Sequence, residues 1–370
     1  VGYFLPRFRA ENCDPQKGIL RSEKTRDDFF SNSFYRRSRT LDMKSTEHWL
    51  LILADPEPSH LDLPRARLNH REILSLCLSA EWHGVLPAVL NRIETFLAKN
   101  PGSLLADAES AQNISAELEP MRRRIAERSA MAMFLAAETQ KLLREISREG
   151  VEVMPLKGMD FAARLYPQPS LRPFVDVDLL IRKKDWDAVA KILAQLNYAT
   201  HEPKMKRASA GYGQQSWENS AMPGAMVELH HDLVNSPSVR RGVSLRLDDL
   251  PLERGARGHL QPTPAGLLVI ASVHAAASHN FGKLQHLCDI AQIARGRAGT
   301  IDETELRRCV EKTGAKFCVA AALDLTARAL KNPACAGLLA RLDYDWPKTL
   351  TRWLITPKLV IRSLGPRRRS

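Results

Sequence analysis

Two aspartates one residue apart, Asp176 and Asp178, interrupt the apolar run "VDVDLLI" at 175–181. A short run of this composition between loop residues reads as a strand inside an apolar environment. Side chains of a strand alternate between its faces, so the two carboxylates share one face while Val177 and Leu179 share the other. Strand rise puts the pair about 7 Å apart at Cα. Left alone they repel, and one is driven toward protonation. Divalent cations remove the conflict, and two carboxylates at this spacing can hold Mg²⁺ or Mn²⁺, which usually share their shell with substrate phosphates and water.

The surrounding sequence supplies more of the same chemistry. "VEVMPL" is a short strand candidate and "MDFAARLY" a helix of about two turns, with Lys157-Gly158 at the junction. Glycine lets backbone approach a phosphate closely, the helix N-terminus offers free N–H groups, and Lys157 adds a full charge. Arg172, in the loop "PQPSLRPF", can clamp a phosphate with its fork or pair with the aspartates. The helical segment "KKDWDAVAKILAQLNY" follows, then the strand candidates "YATHE" and "GQQSWEN" and the strand "MVELHHDL". Glu228 in that last strand, flanked by Val227 and Leu229 and sharing a face with His230, is the candidate third carboxylate of a two-metal site. A β-α-β-α-β-β unit thus covers about residues 151–234.

On either side the pattern is helical. Leu and Ala dominate many stretches and aromatics make up only 6% of the 370 residues. "STEHWLLILAD", with Ser45 or Thr46 as N-cap, and "REILSLCLSAEWHGVLPAVLNRIETFLAK" show helical spacing. So does 116–149, with Met131, Phe134, Leu135, Leu142 and Ile146 along it and Gly150 as its C-cap. Downstream, "TPAGLLVIASVHAAASHNFGKLQHLCDIAQIAR" is helix broken near Asn280–Gly282, and two more helices fall within 302–340. The expected layout is a disordered extension over 1–42, an N-terminal helical region over 43–150, an α/β core over 151–235, a C-terminal helical region over 236–345 and a basic tail over 346–370.

Charge and cysteine usage narrow the function classes. The formal net charge is +12, but residues 1–42 carry a net of +3 and the last ten residues four arginines, which leaves +5 for 43–360. The basic character lies largely at the ends, so a nucleic-acid partner is not expected, and "GPRRRS" reads as a solvated tail. The longest apolar runs, such as 266–273, are too short to cross a bilayer. The six cysteines form no CxxC pair, and the start shows no signal-peptide pattern; both fit reduced thiols in a cytoplasmic protein. His274 and His279 are five apart, about 140° around a helix, and so are not expected to share a face or bind zinc as a pair. His286 and Asp289, three apart, can face each other and join His279 in an acceptor pocket. His230 reads equally as a metal contact or a structural histidine.

In this order the motifs Leu156-Lys157-Gly158, Leu165-Tyr166-Pro167, Arg172-Pro173, Asp176-Val177-Asp178-Leu179-Leu180-Ile181 and Glu228-Leu229-His230 resemble the nucleotidyltransferase superfamily built on the polymerase-beta-like fold. More closely, they resemble a bacterial family of uncharacterised nucleotidyltransferases with an LKG motif. "EWHGVLPAVLNRI" and "HAAASHNFGKLQHLCDIAQI" look like that family's flanking helical motifs, so the likeness covers about residues 45–330. The resemblance implies an α+β protein with a small polymerase-beta-like sheet flanked by helical regions. It implies Asp176, Asp178 and Glu228 as Mg²⁺ ligands, Glu228 also as a base for the acceptor hydroxyl. Lys157 and Gly158 would contact the triphosphate where most of the superfamily has Gly-Ser. Two departures stand out: Val175 fills a position that is commonly small, and Glu228 replaces a frequent Asp, moving the carboxylate outward by roughly 1.5 Å. The expected activity is Mg²⁺-dependent transfer of an NMP from an NTP to a hydroxyl or phosphate of a small molecule, sugar, peptide or protein, releasing pyrophosphate. The alternative is an inactive nucleotide-binding or regulatory protein on the same fold.

Overall fold

The structure is a computed structural model that describes residues 43–58, 63–106, 114–200, 211–222, 224–255 and 259–362. The expected disordered extension over 1–42 and the arginine-rich end "GPRRRS" lie outside the described residues. The first helices are α1 (Met43–Ala54), α2 (His70–Trp82), α3 (Leu86–Lys99) and α4 (Glu119–Arg148). Asn69 caps α2 through a reciprocal box with Glu72. Ser45 and Thr46, read as N-caps, lie inside α1 instead. Gly150, at φ +72°, follows α4 where a left-handed residue ends the helix.

The central unit contains β1 (Val153–Pro155), α5 (Gly158–Leu165), β2 (Val177–Ile181), α6 (Trp186–Gln195), β3 (Tyr198–Thr200), β4 (Gln214–Asn219) and β5 (Met226–His230). Its sheet runs β1-β2-β5-β4-β3, one strand for each of the five candidate segments, where the β-α-β-α-β-β unit counts four. The β2–β5 pair is parallel and the other pairs are antiparallel. Register sets Asp178 directly beside Glu228 and Leu179 beside Leu229.

Period-two alternation then divides the sheet. Val177, Leu179, Ile181, Val227 and Leu229 pack with Leu135, Leu142 and Ile146 of α4 and Val189, Ile192 and Leu193 of α6. Met131 and Phe134, expected on the same stripe of α4, are instead exposed. On the other face, Met154 and Leu180 join the larger helical core, leaving Asp178, Glu228 and His230 beside it.

That core is built largely from the first three helices and from α7 (Pro264–Val273), α8 (Leu284–Ala294), α9 (Glu303–Thr313), α10 (Lys316–Ala329) and α11 (Pro333–Leu342). The α7 helix is buried on every side from Ala265 to Val273, as an all-apolar helix requires. Two features depart from the expected helical regions. A short hairpin, Leu252–Arg254 with Leu260–Pro262 (β6 and β7), lies within 236–345. Residues read as part of a basic tail instead form α12 (Lys348–Leu354) and α13 (Pro357–Ile361). Arg352 and Arg328 both bind Asp324, whose buried carboxylate needs these cations, and Arg328 also donates to the carbonyl of Ile355.

Candidate functional site

The site begins at the β1–α5 junction. Leu156 N–H extends the ladder by donating to the carbonyl of Asp178 at 3.0 Å. Gly158 then turns the chain at φ +38°, a left-handed value that a side chain disfavours. The turn returns Lys157 to the sheet, where its Nζ lies 3.0 Å from Asp178 Oδ1. His230 Nε2 approaches the same oxygen at 3.0 Å and lies 3.6 Å from Glu228 Oε2. Gln214, on the neighbouring strand β4, donates to that Glu228 oxygen at 3.2 Å.

Asp178, Glu228 and His230 have potential ligand atoms all within 4.8 Å of one another. Asp178 and His230 are buried and Glu228 half-buried. Asp176 is not in this tight group. It sits one residue before β2, and its electrostatic environment is opposite to that of Asp178. Burial, then the charge of Asp178, pushes the Asp176 carboxyl up to about 7; Lys157 opposes the rise and Glu228 adds to it. Burial also opposes ionisation of Asp178, but Lys157 and the hydrogen bond from His230 outweigh it and hold the group below the usual carboxylate range. The cluster therefore contains more negative charge than its fixed cations neutralise.

Arg172 departs from its expected role. Its Nε and one terminal nitrogen bind the two Asp289 oxygens at 2.8 and 2.9 Å, and its other terminal nitrogen lies 3.4 Å from the Gly158 carbonyl. Tyr166 donates to the same Asp289 at 2.8 Å, and the guanidinium sits 5.1 Å from the centre of the Phe161 ring. The fork read as a phosphate clamp is thus engaged within the protein. A buried guanidinium needs a carboxylate, and the one it meets is Asp289 on α8 rather than the strand aspartates. Asp289 accordingly faces Arg172 and Tyr166 rather than an acceptor pocket with His286.

The histidines are a second departure. The chain after α7 widens into a π turn over His274–Ser278, and Asn280 and Phe281 take φ of +47° and +57°. These changes undo the 140° separation of a regular helix. The Nε2 atoms of His274 and His279 are 3.0 Å apart, and the His286 ring packs 4.7 Å from both. Lys157 Nζ, shared with Asp178, lies 3.1 Å from His274 Nε2. Three histidines within thirteen residues were the available sequence signal; the π turn that gathers them has no comparable signature.

Carboxylates and histidines line one cleft of about 620 Å³, a volume in the range of small-molecule sites. Val175 stands at its lip, 65% exposed, while Gln285 holds the Pro173 carbonyl at 2.8 Å. Carboxylates beside a lysine and a glycine turn can accept a divalent cation and a polyphosphate. Among the described residues, no helix is long and apolar enough to cross a membrane. The described cysteines Cys77, Cys288, Cys309, Cys318 and Cys335 are buried free thiols. No curated protein matches the sequence at a significant level. A family model described as "Uncharacterised nucleotidyltransferase" matches residues 70–331, from the start of α2 through α10 and so through the whole sheet and both side-chain clusters. With most of its length matched, the chain belongs to the uncharacterised nucleotidyltransferase family.

Proposed function

We propose that the protein transfers a nucleoside monophosphate from an NTP to an acceptor hydroxyl or phosphate and releases pyrophosphate. The observation that carries this reading is the parallel register of β2 and β5, which sets Asp178 beside Glu228 with His230 in contact and Lys157 above them. Asp178, Glu228 and Asp176 suit Mg²⁺ or Mn²⁺: their oxygens are hard donors, and a bound cation would offset the burial and the Asp178 charge that raise the pKa of Asp176. A divalent ion bound there would supply charge neutralisation at the α-phosphate and at the leaving oxygen.

The chain's own groups define the rest. Lys157 and the N–H groups beside Gly158 bind the triphosphate, and the cleft presents its α-phosphorus to the acceptor. The acceptor oxygen forms a bond to that phosphorus as the bond to pyrophosphate breaks, and its proton passes to a carboxylate, a role we assign to Glu228 because it is half-buried and lines the cleft. Arg172 acts indirectly by fixing the Gly158 turn to α8. Acceptors that fit this chemistry include a small molecule, a sugar, a peptide or a protein side chain.

One observation favours a second reading, a nucleotide-binding protein that does not turn over. Lys157 already supplies Asp178 with a cation at 3.0 Å, so that aspartate is satisfied without a metal. A direct assay separates the two. The full chain is incubated with each labelled NTP, Mg²⁺ and cell extract, and pyrophosphate release and labelled products are followed by mass spectrometry. Metal-dependent NTP binding without pyrophosphate release would leave only the second reading.

A further inference from the structure

We propose that His274, His279 and His286 form a site for a nitrogen-loving divalent transition ion, Zn²⁺ above all, separate from the carboxylate cluster. Potential ligand atoms of the three imidazoles all lie within 4.8 Å of one another, and their ring centres are 4.4 to 4.7 Å apart. Nitrogens bound to a tetrahedral Zn²⁺ at about 2.05 Å lie roughly 3.3 Å from each other. The 3.0 Å between the Nε2 atoms of His274 and His279 is close to that spacing. The three rings thus already converge on one point, and an ion there would move them slightly apart.

The protons around His274 point the same way. Its Nε2 meets both His279 Nε2 at 3.0 Å and Lys157 Nζ at 3.1 Å. A neutral imidazole has one in-plane lone pair at an unprotonated nitrogen, and so cannot accept well from two donors. Nor can it stay neutral while donating to one neighbour and accepting from the other through the same atom. A metal ion at this point would accept the facing lone pairs and remove the competition. Lys157 can yield because Asp178 is its other partner. The buried Nδ1 of His286 has no hydrogen-bond partner among the described residues, a costly arrangement for a polar atom with no ligand.

Chemistry selects the ion. Imidazole nitrogens suit Zn²⁺, Ni²⁺ and Cu²⁺, whereas Mg²⁺ demands oxygen and near-octahedral geometry. All three groups favour the uncharged form a metal requires: burial holds His274 and His286 well below their usual values, and partial desolvation in the cleft lowers His279 to about 4 although part of its ring is exposed, with Lys157 adding to each. His279 is exposed and the cluster lines the cleft, so a fourth position is accessible to water or an anionic oxygen of a bound molecule.

Metal binding without nucleotide tests the proposal independently of turnover. Untagged full chain, stripped with a chelator, is titrated calorimetrically with Zn²⁺ in excess Mg²⁺, and in parallel with Co²⁺ while visible absorption is recorded. One Zn²⁺ per chain and the strong d–d bands of tetrahedral Co²⁺ are expected. Both should persist in Glu228→Gln, which alters the carboxylate cluster but leaves the Lys157–Asp178 pair in place, and His279→Gln and His286→Asn should weaken Zn²⁺ binding at least about 100-fold, a loss expected for a direct ligand. His279→Gln alters an exposed group, and circular dichroism verifies its fold. Absence of Zn²⁺ binding to the native chain would overturn the site. So would unchanged binding in a folded His279→Gln chain, or loss of binding only in Glu228→Gln, which would move the ion to the carboxylates.

Discussion

Asp178, Glu228 and His230 stand on paired strands, whereas His274, His279 and His286 surround a broken helix end, and the two groups meet at Lys157. The strand group is rich in oxygen and carries excess negative charge. The helix-end group is nitrogen only and held uncharged by burial and by the same lysine. Ladder hydrogen bonds hold the first group in register, so its geometry is inherited from the sheet. The second depends on a π turn and two left-handed residues, each less favourable than regular helix and maintained by surrounding packing. One cleft thus contains an oxygen-rich cluster fixed by the sheet and a histidine cluster whose geometry depends on tertiary closure.

The largest test removes the oxygen site. Asp178→Asn should lower Mg²⁺-dependent turnover on the order of 10³-fold, the loss expected when a metal-held charge is removed from the reacting centre. Glu228→Gln, which leaves the Lys157–Asp178 pair intact, should also lower turnover while Zn²⁺ binding at the histidines survives. Initial rates and metal titrations on the same preparation check both, and equal loss of the two would erase the distinction between the sites.

Next in size is the link between them. Arg172 joins the Gly158 turn to Asp289, one helical turn beyond His286. Arg172→Met leaves Asp289 buried with only Tyr166, and should cost about 3–5 kcal/mol in denaturant unfolding. Combining it with Asp289→Leu should restore most of that loss, because the stranded charge disappears. A double variant as unstable as the single would show that the pair is not the source of the cost.

Acid and base should act on the two sites with opposite sign. Asp176 has a folded value of about 7, above its unfolded value of 3.8, so its contribution to stability is full below 3.8 and lost as pH rises through 7. Asp176→Asn mimics the protonated acid and should stabilise the metal-free chain at pH 8 by about 1–2 kcal/mol, with no gain at pH 4. Saturating Mg²⁺ should reverse the order. His279 has a folded value of about 4, below 6.5, so its contribution is present above 6.5 and lost as pH falls through 4. His279→Gln should flatten that acidic limb of the melting-temperature profile. Parallel slopes for the two variants would contradict the contrast in charge.

The smallest expected effect is at the turn that presents Lys157. Gly158→Ala places a Cβ at ordinary contact distance, 3.5 Å from Phe174, so the penalty is the φ of +38° itself, about 1 kcal/mol. A modest fall in melting temperature with weaker NTP binding is expected; an unchanged nucleotide affinity would remove the turn from the phosphate site.

The α/β order and the strand carboxylates were legible in the sequence because a strand's side-chain period is local: two residues forward returns a side chain to the same face. Asp178 and Glu228 could be named as partners from their apolar flanks, and the parallel pairing then placed them side by side. Asp176 was legible as a charge but not as one outside the tight cluster, since that depends on where β2 begins. Arg172 had several plausible carboxylates within reach, and only packing of α8 against α5 chose Asp289. The three histidines were visible as residues, but a regular helix separates them; widening of the turn and reversal at Asn280 and Phe281 bring them together. Local periodicity and residue chemistry therefore determined the strand faces and which groups could bind a cation. Tertiary structure decided which of those groups meet, because contacts between distant segments depend on how the elements pack, and short sequence patterns do not encode that geometry.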